Sequence, residues 1–280
     1  MKKFIDIDNQ RISLDAPVVM GILNVTDDSF HDGGKYVSET QIIARVNEIV
    51  EQGAAIIDVG ACSTRPGSVA ASEEEEIGRA GFAVELIRKY HPRVPVSVDT
   101  FRASVVREIC RCLGPVIVND ISGGAMDGEM FETVERLGLP YILCHAQGTP
   151  RDMQQAPRYD DVVREVRDFL GARAARLEAT GLVQVIIDPG FGFGKTVAHN
   201  YRLLARLDSL VDLGYPVLAG LSRKSMACKV LDVAPRDALN ATTALNAIAL
   251  LKGASILRVH DVKEAAETVK IHRAMTESNP

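Results

Sequence analysis

The sequence predicts an α/β fold, a single-domain (β/α)8 barrel of the TIM type, from three observations. Short runs rich in Val and Ile alternate with longer segments of helical periodicity along all 280 residues, as expected for a parallel sheet covered by helices. Eight such strand–helix units occur, the number that closes a barrel. Polar residues gather where the strands end, and those ends form one face of a barrel. An open, doubly wound sheet is the alternative, because periodicity alone does not show closure.

The predicted strands are short and apolar, and the predicted helices lie between them. The strands span residues 18–24, 55–60, 94–99, 116–120, 141–144, 185–188, 217–220 and 256–259. The helices span residues 38–52, 72–90, 101–112, 127–137, 159–179, 198–211, 236–251 and 262–275. Ser38 and Ser72 are suited to cap two of these helices. Because the composition does not change along the chain, we predict one domain over residues 1–280.

Composition and charge argue against several classes of protein. Hydrophobic residues make up 46% and charged residues 25% of the chain, as in a globular protein rather than a disordered one. The net charge of −5, from 32 basic and 37 acidic residues, argues against nonspecific nucleic-acid binding. The five cysteines contain no C-x-x-C pair, so we expect free thiols in a reducing cytoplasm. We expect no membrane helix, which needs roughly 18 apolar residues, and no signal sequence, because Asp6 interrupts the N-terminal apolar residues.

A glycine-rich segment follows the sixth predicted strand and invites a nucleotide-binding interpretation. It reads Asp188-Pro189-Gly190-Phe191-Gly192-Phe193-Gly194-Lys195-Thr196. The Walker pattern needs Gly where Pro189 stands, and the dinucleotide pattern needs Gly where Lys195 stands, so both are excluded. We interpret the segment as a turn whose glycines take positive φ, with Asp188 as a carboxylate at the end of the strand.

Basic residues after three other strands predict an anion-binding site. Ser222-Arg223-Lys224-Ser225 follows the seventh strand, Arg258-Val259-His260 the eighth, and Ser63-Thr64-Arg65-Pro66-Gly67 the second. A single Arg in a loop is usually only solvated. Two Arg, one Lys and one His at three strand ends form a cationic cluster that indicates a polyanionic ligand.

Acidic and amide side chains at other strand ends predict a second kind of contact. They are Asp99, Asn119, Asp120 and Asp188. Such groups can hydrogen-bond a flat, donor-rich heterocycle, and the carboxylates can stabilise positive charge that develops on its ring. An internal salt bridge, for example between Asp188 and Lys224, is an alternative that is compatible with this function.

Sequence blocks in a fixed order resemble the dihydropteroate synthase family. The first is Met20-Gly21-Ile22-Leu23-Asn24-Val25-Thr26 with Asp28-Ser29-Phe30 and Asp32-Gly33-Gly34. The next are Asp58-Val59-Gly60 with the segment 63–67, Ser97-Val98-Asp99-Thr100, Val118-Asn119-Asp120-Ile121-Ser122-Gly123-Gly124 and Gln147-Gly148-Thr149-Pro150. The segments 188–195, 222–225 and 258–261 complete the set. The resemblance therefore extends over nearly the whole chain and every expected loop of the site.

The resemblance implies a (β/α)8 barrel and a transferase of folate biosynthesis. The family joins 6-hydroxymethyl-7,8-dihydropterin diphosphate to 4-aminobenzoate, giving 7,8-dihydropteroate and diphosphate. It implies Mg²⁺ as the cofactor, small-molecule substrates, and sulfonamides as inhibitors. It also implies a homodimer, to which the apolar stretch 241–251 could contribute, although a buried helix face explains that stretch equally well.

The resemblance also assigns roles to individual residues. The pterin ring would be held by Asp99, Asn119, Asp188 and Lys224. The diphosphate would be held by Thr64, Arg65, Arg258 and His260, with Asn24 as the protein ligand of Mg²⁺. The 4-aminobenzoate would contact Ser222, Lys224, Thr64 and Arg65, in a slot lined by Phe30 and Pro66. Catalysis would depend on Asp99, Asp188, Lys224, Arg258 and His260, and loops 25–36 and 61–71 would close over the second substrate.

The implied chemistry needs no Ser or Cys nucleophile. Diphosphate leaves readily once Mg²⁺ and cations neutralise its charge, and because Mg²⁺ keeps waters and phosphate oxygens, Asn24 can be its only protein ligand. A methyltetrahydrofolate-dependent methyltransferase would share the acidic pterin floor but would not need the basic residues. A non-catalytic pterin-binding barrel would be expected to lose one of them, whereas this chain retains them all.

The sequence departs from the family pattern at several loop positions. Asp27 stands where Pro is usual, His31 where Ser is frequent, Ala61-Cys62 where Gly-Glu is frequent, and Ala146 where Met is common. We expect these changes to alter contacts with 4-aminobenzoate and with sulfonamides rather than the pterin-binding residues.

Overall fold

The computed structural model describes residues 4–26, 38–62, 71–149, 153, 155–181 and 183–278. Its strands are β1 (Phe4–Ile7), β2 (Gln10–Ser13), β3 (Val18–Asn24), β4 (Ile56–Gly60), β5 (Val96–Asp99), β6 (Ile117–Asp120), β7 (Tyr141–Cys144), β8 (Val185–Asp188), β9 (Leu218–Ala219) and β10 (Ile256–Val259). Its helices are α1 (Glu39–Glu51), α2 (Glu73–Tyr90), α3 (Ala103–Leu113), α4 (Met130–Leu137), α5 (Val162–Glu178), α6 (Val197–Ala205), α7 (Asp208–Val211), α8 (Ser225–Leu231), α9 (Leu239–Leu251) and α10 (Val262–Glu277), with a 3-10 helix at Pro235–Asp237. Within these ranges, no helix combines the length and the apolar character needed to cross a membrane.

Strands β3 to β10 form a parallel sheet that closes into a barrel. Neighbouring strands are hydrogen-bonded in the order β8-β7-β6-β5-β4-β3-β10-β9. A parallel bridge between Ile187 of β8 and Val217, just before β9, joins the two ends of this order. Helices lie between consecutive strands along the chain. The predicted (β/α)8 barrel is therefore confirmed, and the open-sheet alternative is wrong.

The predicted barrel strands and helices correspond closely to those observed. Four predicted strands coincide with β3, β7, β8 and β10, and three others begin one or two residues later than predicted. Ser38 and Ser72 cap α1 and α2, each within a capping box. The helix predicted over residues 198–211 is divided into α6 and α7, because Leu207 and Ser209 donate to carbonyls three residues back.

An N-terminal hairpin that the strand prediction omitted closes the amino end of the barrel. Strands β1 and β2 pair antiparallel across a turn at Asp8 and Asn9, which have φ of 49° and 59°. The buried hairpin residues Ile5, Ile7 and Ile12 pack on the apolar side chains that fill the barrel interior. These side chains are Met20, Ile56, Ile117, Ile142, Ile186, Leu218 and Ile256.

The alternation of side chains along each strand places polar groups directly above this apolar layer. In four strands an interior Ile is followed, two residues later, by a polar residue on the same side of the sheet. The pairs are Ile56 and Asp58, Ile117 and Asn119, Ile186 and Asp188, and Ile256 and Arg258. The residues between them, such as Ile57 and Val118, pack against the helices. The carboxyl ends of the strands therefore bring polar side chains into the barrel mouth.

Candidate active site

A buried network of two carboxylates, an amide and a guanidinium forms the floor of the barrel mouth. Arg258 donates from Nε to Asp58 Oδ2 and from Nη2 to Asp99 Oδ2, each at 2.6 Å. The Asn119 amide donates to the same Asp58 carboxylate at 3.2 and 3.4 Å. Asp58 and Asn119 are buried, whereas the side chains of Asp99 and Arg258 are 16% and 17% exposed. Asp99 and Arg258 are therefore the more exposed members of this network.

Asp58 has no role in the sequence-based prediction, although it belongs to one of the matching blocks. The sequence could have indicated that Asp58 points into the barrel, since it stands two residues after Ile56 in a short apolar strand. A carboxylate buried inside a barrel needs a compensating cation. The structure shows that Arg258, from the opposite end of the chain, is this cation.

Asp99 and Asp188 are held in an environment that disfavours their ionised forms. Burial raises the pKa of Asp99 to about 7, although the Arg258 guanidinium opposes the shift. Burial also raises the pKa of Asp188, whose Oδ1 accepts a hydrogen bond from the Gly190 N–H at 2.7 Å. In such poorly solvated surroundings, hydrogen bonds and ionic contacts to a ring are stronger than in water.

Lys224 immediately precedes helix α8, and its side chain extends into the site. Its Nζ donates to the Phe191 carbonyl and lies 4.0 Å from the centre of the Phe193 ring. Burial lowers the pKa of Lys224, although the Asp188 carboxylate opposes the shift. The Asp188–Lys224 salt bridge that the sequence left open is not among the ion pairs of the described residues. Lys224 instead binds the loop that follows Asp188.

The glycine-rich loop after β8 lies against the segment after β7 and presents carbonyl groups to positive charge. Gly190, Gly192 and Gly194 have φ of 67°, 83° and 61°, so the prediction of positive φ is confirmed. A Cβ on Gly190 would lie 1.9 Å from the His145 carbonyl oxygen, so only glycine permits this approach. A phosphate-binding loop would present N–H groups instead, whereas the carbonyl of Phe191 accepts from an ammonium group here.

Hydrogen bonds between the ends of β9 and β10 place Ser222 beside His260. Ser222 Oγ lies 3.0 Å from His260 Nδ1 and accepts from the His260 N–H at 3.2 Å. Arg223 has φ of 55°, and its guanidinium binds the Asp261 carboxylate. Burial lowers the pKa of His260 to about 4, so its imidazole is neutral at pH 7. Without a bound anion, His260 therefore contributes hydrogen bonds rather than a charge to this part of the site.

Asn24, the expected Mg²⁺ ligand, is the last residue of β3. Its Oδ1 lies 3.0 Å from the position that a Cβ on Gly60 would occupy, so glycine in the neighbouring strand leaves room for the amide. An amide oxygen is a hard ligand of the kind that Mg²⁺ takes. Among the described residues, no group of three or more acidic, His or Cys side chains could hold a metal. This donor set fits a Mg²⁺ ion held mainly by substrate oxygens and water.

Eight of the site residues predicted from the sequence lie around the barrel mouth. They are Asn24, Asp99, Asn119, Asp188, Ser222, Lys224, Arg258 and His260. The other four, Phe30, Thr64, Arg65 and Pro66, lie outside the described residues, as do Asp27 and His31. Most of the two loops expected to close over the second substrate also falls outside the described ranges.

The expectation that Asp120 faces the site is wrong. Adjacent residues of a strand point to opposite faces, so Asp120 points toward the helices while Asn119 points into the barrel. The Asp120 carboxylate accepts from the Tyr141 hydroxyl at 2.7 Å and from both the backbone and the hydroxyl of Ser122 at 2.7 Å. Asp120 therefore shapes the turn after β6.

The five cysteines are free thiols, as predicted. Burial raises the pKa of the Cys62 thiol, so this departure from the family pattern carries no thiolate at neutral pH. Ala146, a second departure, follows His145 in the segment after β7.

The closed barrel and the acidic floor at the carboxyl ends of its strands define a pterin-binding barrel enzyme, and a family model described as "Pterin binding enzyme" matches residues 20–260. Dihydropteroate synthase of Escherichia coli (strain K12) is 44% identical over 265 residues, covering 94% of this chain and 93% of the relative. The chain belongs to the dihydropteroate synthase family. Its predicted classification as a folate-pathway transferase is thereby confirmed.

Other relatives show the same agreement in sequence and in structure. Dihydropteroate synthase of Haemophilus influenzae is 42% identical, covering 95% of this chain and 96% of the relative. The Yersinia pestis enzyme, solved with a sulfonamide drug, has a TM-score of 0.91 at 39% identity and covers 98% of this chain and 99% of that chain. The Xanthomonas albilineans enzyme, solved with 4-aminobenzoic acid, has a TM-score of 0.89 at 37% identity, covering 99% of each chain.

Proposed function

We propose that this chain condenses 6-hydroxymethyl-7,8-dihydropterin diphosphate with 4-aminobenzoate through the residues at its barrel mouth. The observation that carries the proposal is the buried floor in which Asp99, Asn119 and Asp188 lie at the ends of three strands. A pterin is a flat ring with several N–H donors on one edge, and carboxylate and amide oxygens are suitable acceptors. Lys224 can donate to the carbonyl oxygen of the same ring.

The same two carboxylates support the bond-breaking step. When diphosphate departs, positive charge develops on the pterin methylene and ring, and Asp99 and Asp188 stabilise that charge. The aniline nitrogen of 4-aminobenzoate then attacks the methylene carbon, so that a C–N bond replaces the C–O bond to diphosphate, and the nitrogen loses one proton to water. Because the substrate amine is the nucleophile, none of the five cysteines needs a catalytic role.

The diphosphate subsite in this proposal consists of Arg258, His260 and Asn24, together with Thr64 and Arg65. Arg258 donates two of its five N–H groups to Asp58 and Asp99, so further N–H groups of the guanidinium can bind the diphosphate. The neutral His260 can donate one N–H to an anion. Bound Mg²⁺ would neutralise part of the charge on the leaving group, and Asn24 would be its protein ligand.

The 4-aminobenzoate subsite is proposed to lie above the pterin, between β9 and the first loops. Ser222 Oγ and Lys224 Nζ are suited to bind its carboxylate. Phe30 and Pro66 would line the slot around its ring, with Thr64 and Arg65 at its entrance. The Xanthomonas albilineans relative, solved with 4-aminobenzoic acid, supports a subsite of this kind.

Diphosphate release tests the proposed reaction. The purified chain is mixed with the pterin diphosphate, 4-aminobenzoate and Mg²⁺, and release is expected to stop when EDTA removes the metal. Lys224→Ala should lower turnover at least about 100-fold, since loss of a preorganised charged donor typically costs this much, without changing the melting temperature. Lys229→Ala, on the exposed side of α8, is the matched control. Release no greater than background would overturn the proposed function.

We also propose a homodimer formed through α9 and α10. These helices pack against each other, and both carry large apolar side chains on the surface, of which Leu251 and Ile271 are 62% and 73% exposed. Such exposed apolar groups mark interaction surfaces. Light scattering should give twice the chain mass of 30.4 kDa, and Ile271→Glu should give a monomer. A wild-type monomer would exclude this interface.

The cellular location that we propose is the cytoplasm. The five free thiols agree with a reducing compartment, where the other enzymes and substrates of a folate pathway would also be needed. Detection of the chain outside the cytoplasm by cell fractionation would contradict this proposal.

A further inference from the structure

Lys195, which has no role in the proposed reaction, carries a buried ammonium group next to the pterin-binding residues. The residue is only 3% exposed. Its Nζ lies 2.9 Å from His145 Nδ1 and donates to the carbonyl oxygens of His145 at 3.2 Å, Gly190 at 3.0 Å and Phe193 at 3.1 Å. Four acceptors on two neighbouring loops thus converge on one side chain.

The contacts are those of a charged lysine and a neutral histidine. An ammonium group has three donors and no acceptor, so it suits a site made only of acceptors. Burial lowers the pKa of His145 to about 3, so the imidazole is neutral and one ring nitrogen can accept. Burial lowers the pKa of Lys195 to about 7, although the nearby Cys144 and Asp188 oppose the shift.

These contacts fix the loop that carries Asp188 and the Phe191 carbonyl to which Lys224 donates. Gly190 donates its N–H to Asp188 Oδ1 while its carbonyl accepts from Lys195. Phe191, whose carbonyl accepts from Lys224, lies between the two loop carbonyls that Lys195 holds. Lys195 therefore holds the loop on both sides of the peptide that Lys224 binds.

We propose that Lys195 is a positioning residue that holds the 188–194 loop so that the Asp188 carboxylate faces the pterin site. An apolar side chain of the same length would avoid the cost of burying a charge. The buried ammonium group therefore has a structural purpose, which is to hold the loop carbonyls in place. This inference rests on the proposed role of Asp188 in binding the pterin.

A double-mutant cycle on pterin affinity tests this role. The probe is 6-hydroxymethylpterin, titrated by calorimetry into the full chain and into the variants Lys195→Met, Asp188→Asn and the double variant. Loss of hydrogen bonds from a charged group predicts that Lys195→Met weakens binding about tenfold or more. Because Lys195 acts through Asp188, the pterin affinity of the double variant should equal that of the single variant with the lower affinity, within about twofold. Lys229→Met, which removes an exposed lysine, should bind as the wild type does.

The variant Lys195→Gln supplies a second comparison. Its amide keeps two N–H donors, so it should recover part of the affinity, and it replaces Lys195→Met in the cycle if that variant does not fold. Unchanged affinity in the Lys195 variants, or losses that multiply in the double variant, would overturn the positioning role. If the wild type itself does not bind the pterin, the proposed function fails first, and the inference fails with it.

Discussion

Arg258 is shared between Asp58 and Asp99, and only one of these carboxylates can be reached from the barrel mouth. The buried Asp58 therefore fixes the guanidinium in place, while Asp99 is available to a substrate. Removing one partner of a buried ion pair leaves an uncompensated charge, which typically costs 3–5 kcal/mol. We expect Asp58→Asn to lower the free energy of unfolding by about 3 kcal/mol and to lower turnover, measured by urea denaturation and by diphosphate release.

An exposed ion pair gives the matched control for that prediction. Asp8 binds Arg88 at 2.9 Å, and its side chain is 40% exposed. Asp8→Asn should cost less than about 1 kcal/mol, because water screens an exposed pair. Equal losses of stability in the two variants would mean that the Asp58–Arg258 contact does not organise the floor.

His260 predicts a pH dependence of stability. Burial lowers the pKa of His260 from 6.5 to about 4, so between these values the unfolded chain binds more protons than the folded chain. The contribution of this group to stability is then present above pH 6.5 and is lost as the pH falls toward 4. We expect this loss to be about 1–3 kcal/mol in the wild type and to be missing in His260→Asn. Denaturation curves at several pH values measure the difference, and identical slopes would refute the assignment.

The sequence predicts a site residue well when its position along a strand determines whether its side chain points into the barrel. Asn119 and Asp188 were found because each lies at a strand end, and the structure shows that each is also in phase with an interior Ile. Asp120 was misplaced because two consecutive polar residues were both taken to face the barrel. The partnership of Asp58 with Arg258 could not be predicted, since it joins residues 200 positions apart and depends on barrel closure.

At the scale of the element, the close packing of the loop after β8 predicts that replacing Gly190 by Ala costs more stability than replacing Gly181 by Ala. Gly190 and Gly181 have nearly the same φ, 67° and 70°, but a Cβ would meet the His145 carbonyl at 1.9 Å in the first and nothing within 4 Å in the second. Gly181→Ala should therefore lower the free energy of unfolding by backbone strain alone, about 1 kcal/mol. Gly190→Ala should cost several times as much and should also weaken pterin binding, because the loop must move. Equal melting temperatures for the two variants would contradict this close approach.

The elements differ in how far sequence patterns define them. The strands β3 and β8 end at a polar residue, and β7 and β10 end just before a His, so their bounds could be predicted. Glycine spacing predicted the positive φ of the loop after β8, but it could not show that the loop carbonyls bind Lys195 and Lys224, because glycine supplies freedom rather than direction. The hairpin of β1 and β2 was omitted because polar residues interrupt both of its strands, FIDI and QRIS, so that neither forms an apolar run.

At the scale of the whole molecule, the residues that stabilise the barrel and those that form its active site lie at opposite ends. Its amino end is an apolar layer covered by the N-terminal hairpin, and its carboxyl end carries the charged network. This division is general in barrel enzymes, whose sites form at the carboxyl ends of the strands. Changes in the hairpin should therefore affect folding without affecting substrate binding.

Ile5 tests this separation directly. Ile5 is 1% exposed and packs among the residues at the bottom of the barrel, so Ile5→Ala should lower the free energy of unfolding by about 2–4 kcal/mol through lost burial and a residual cavity. The kcat and the KM for both substrates should stay within about twofold of the wild type, because distant sites usually act independently. Val230→Ala, at a position that is 57% exposed, should change neither stability nor kinetics. A loss of kcat in Ile5→Ala, measured at a temperature where the variant is fully folded, would show that the hairpin and the active site are coupled through the barrel.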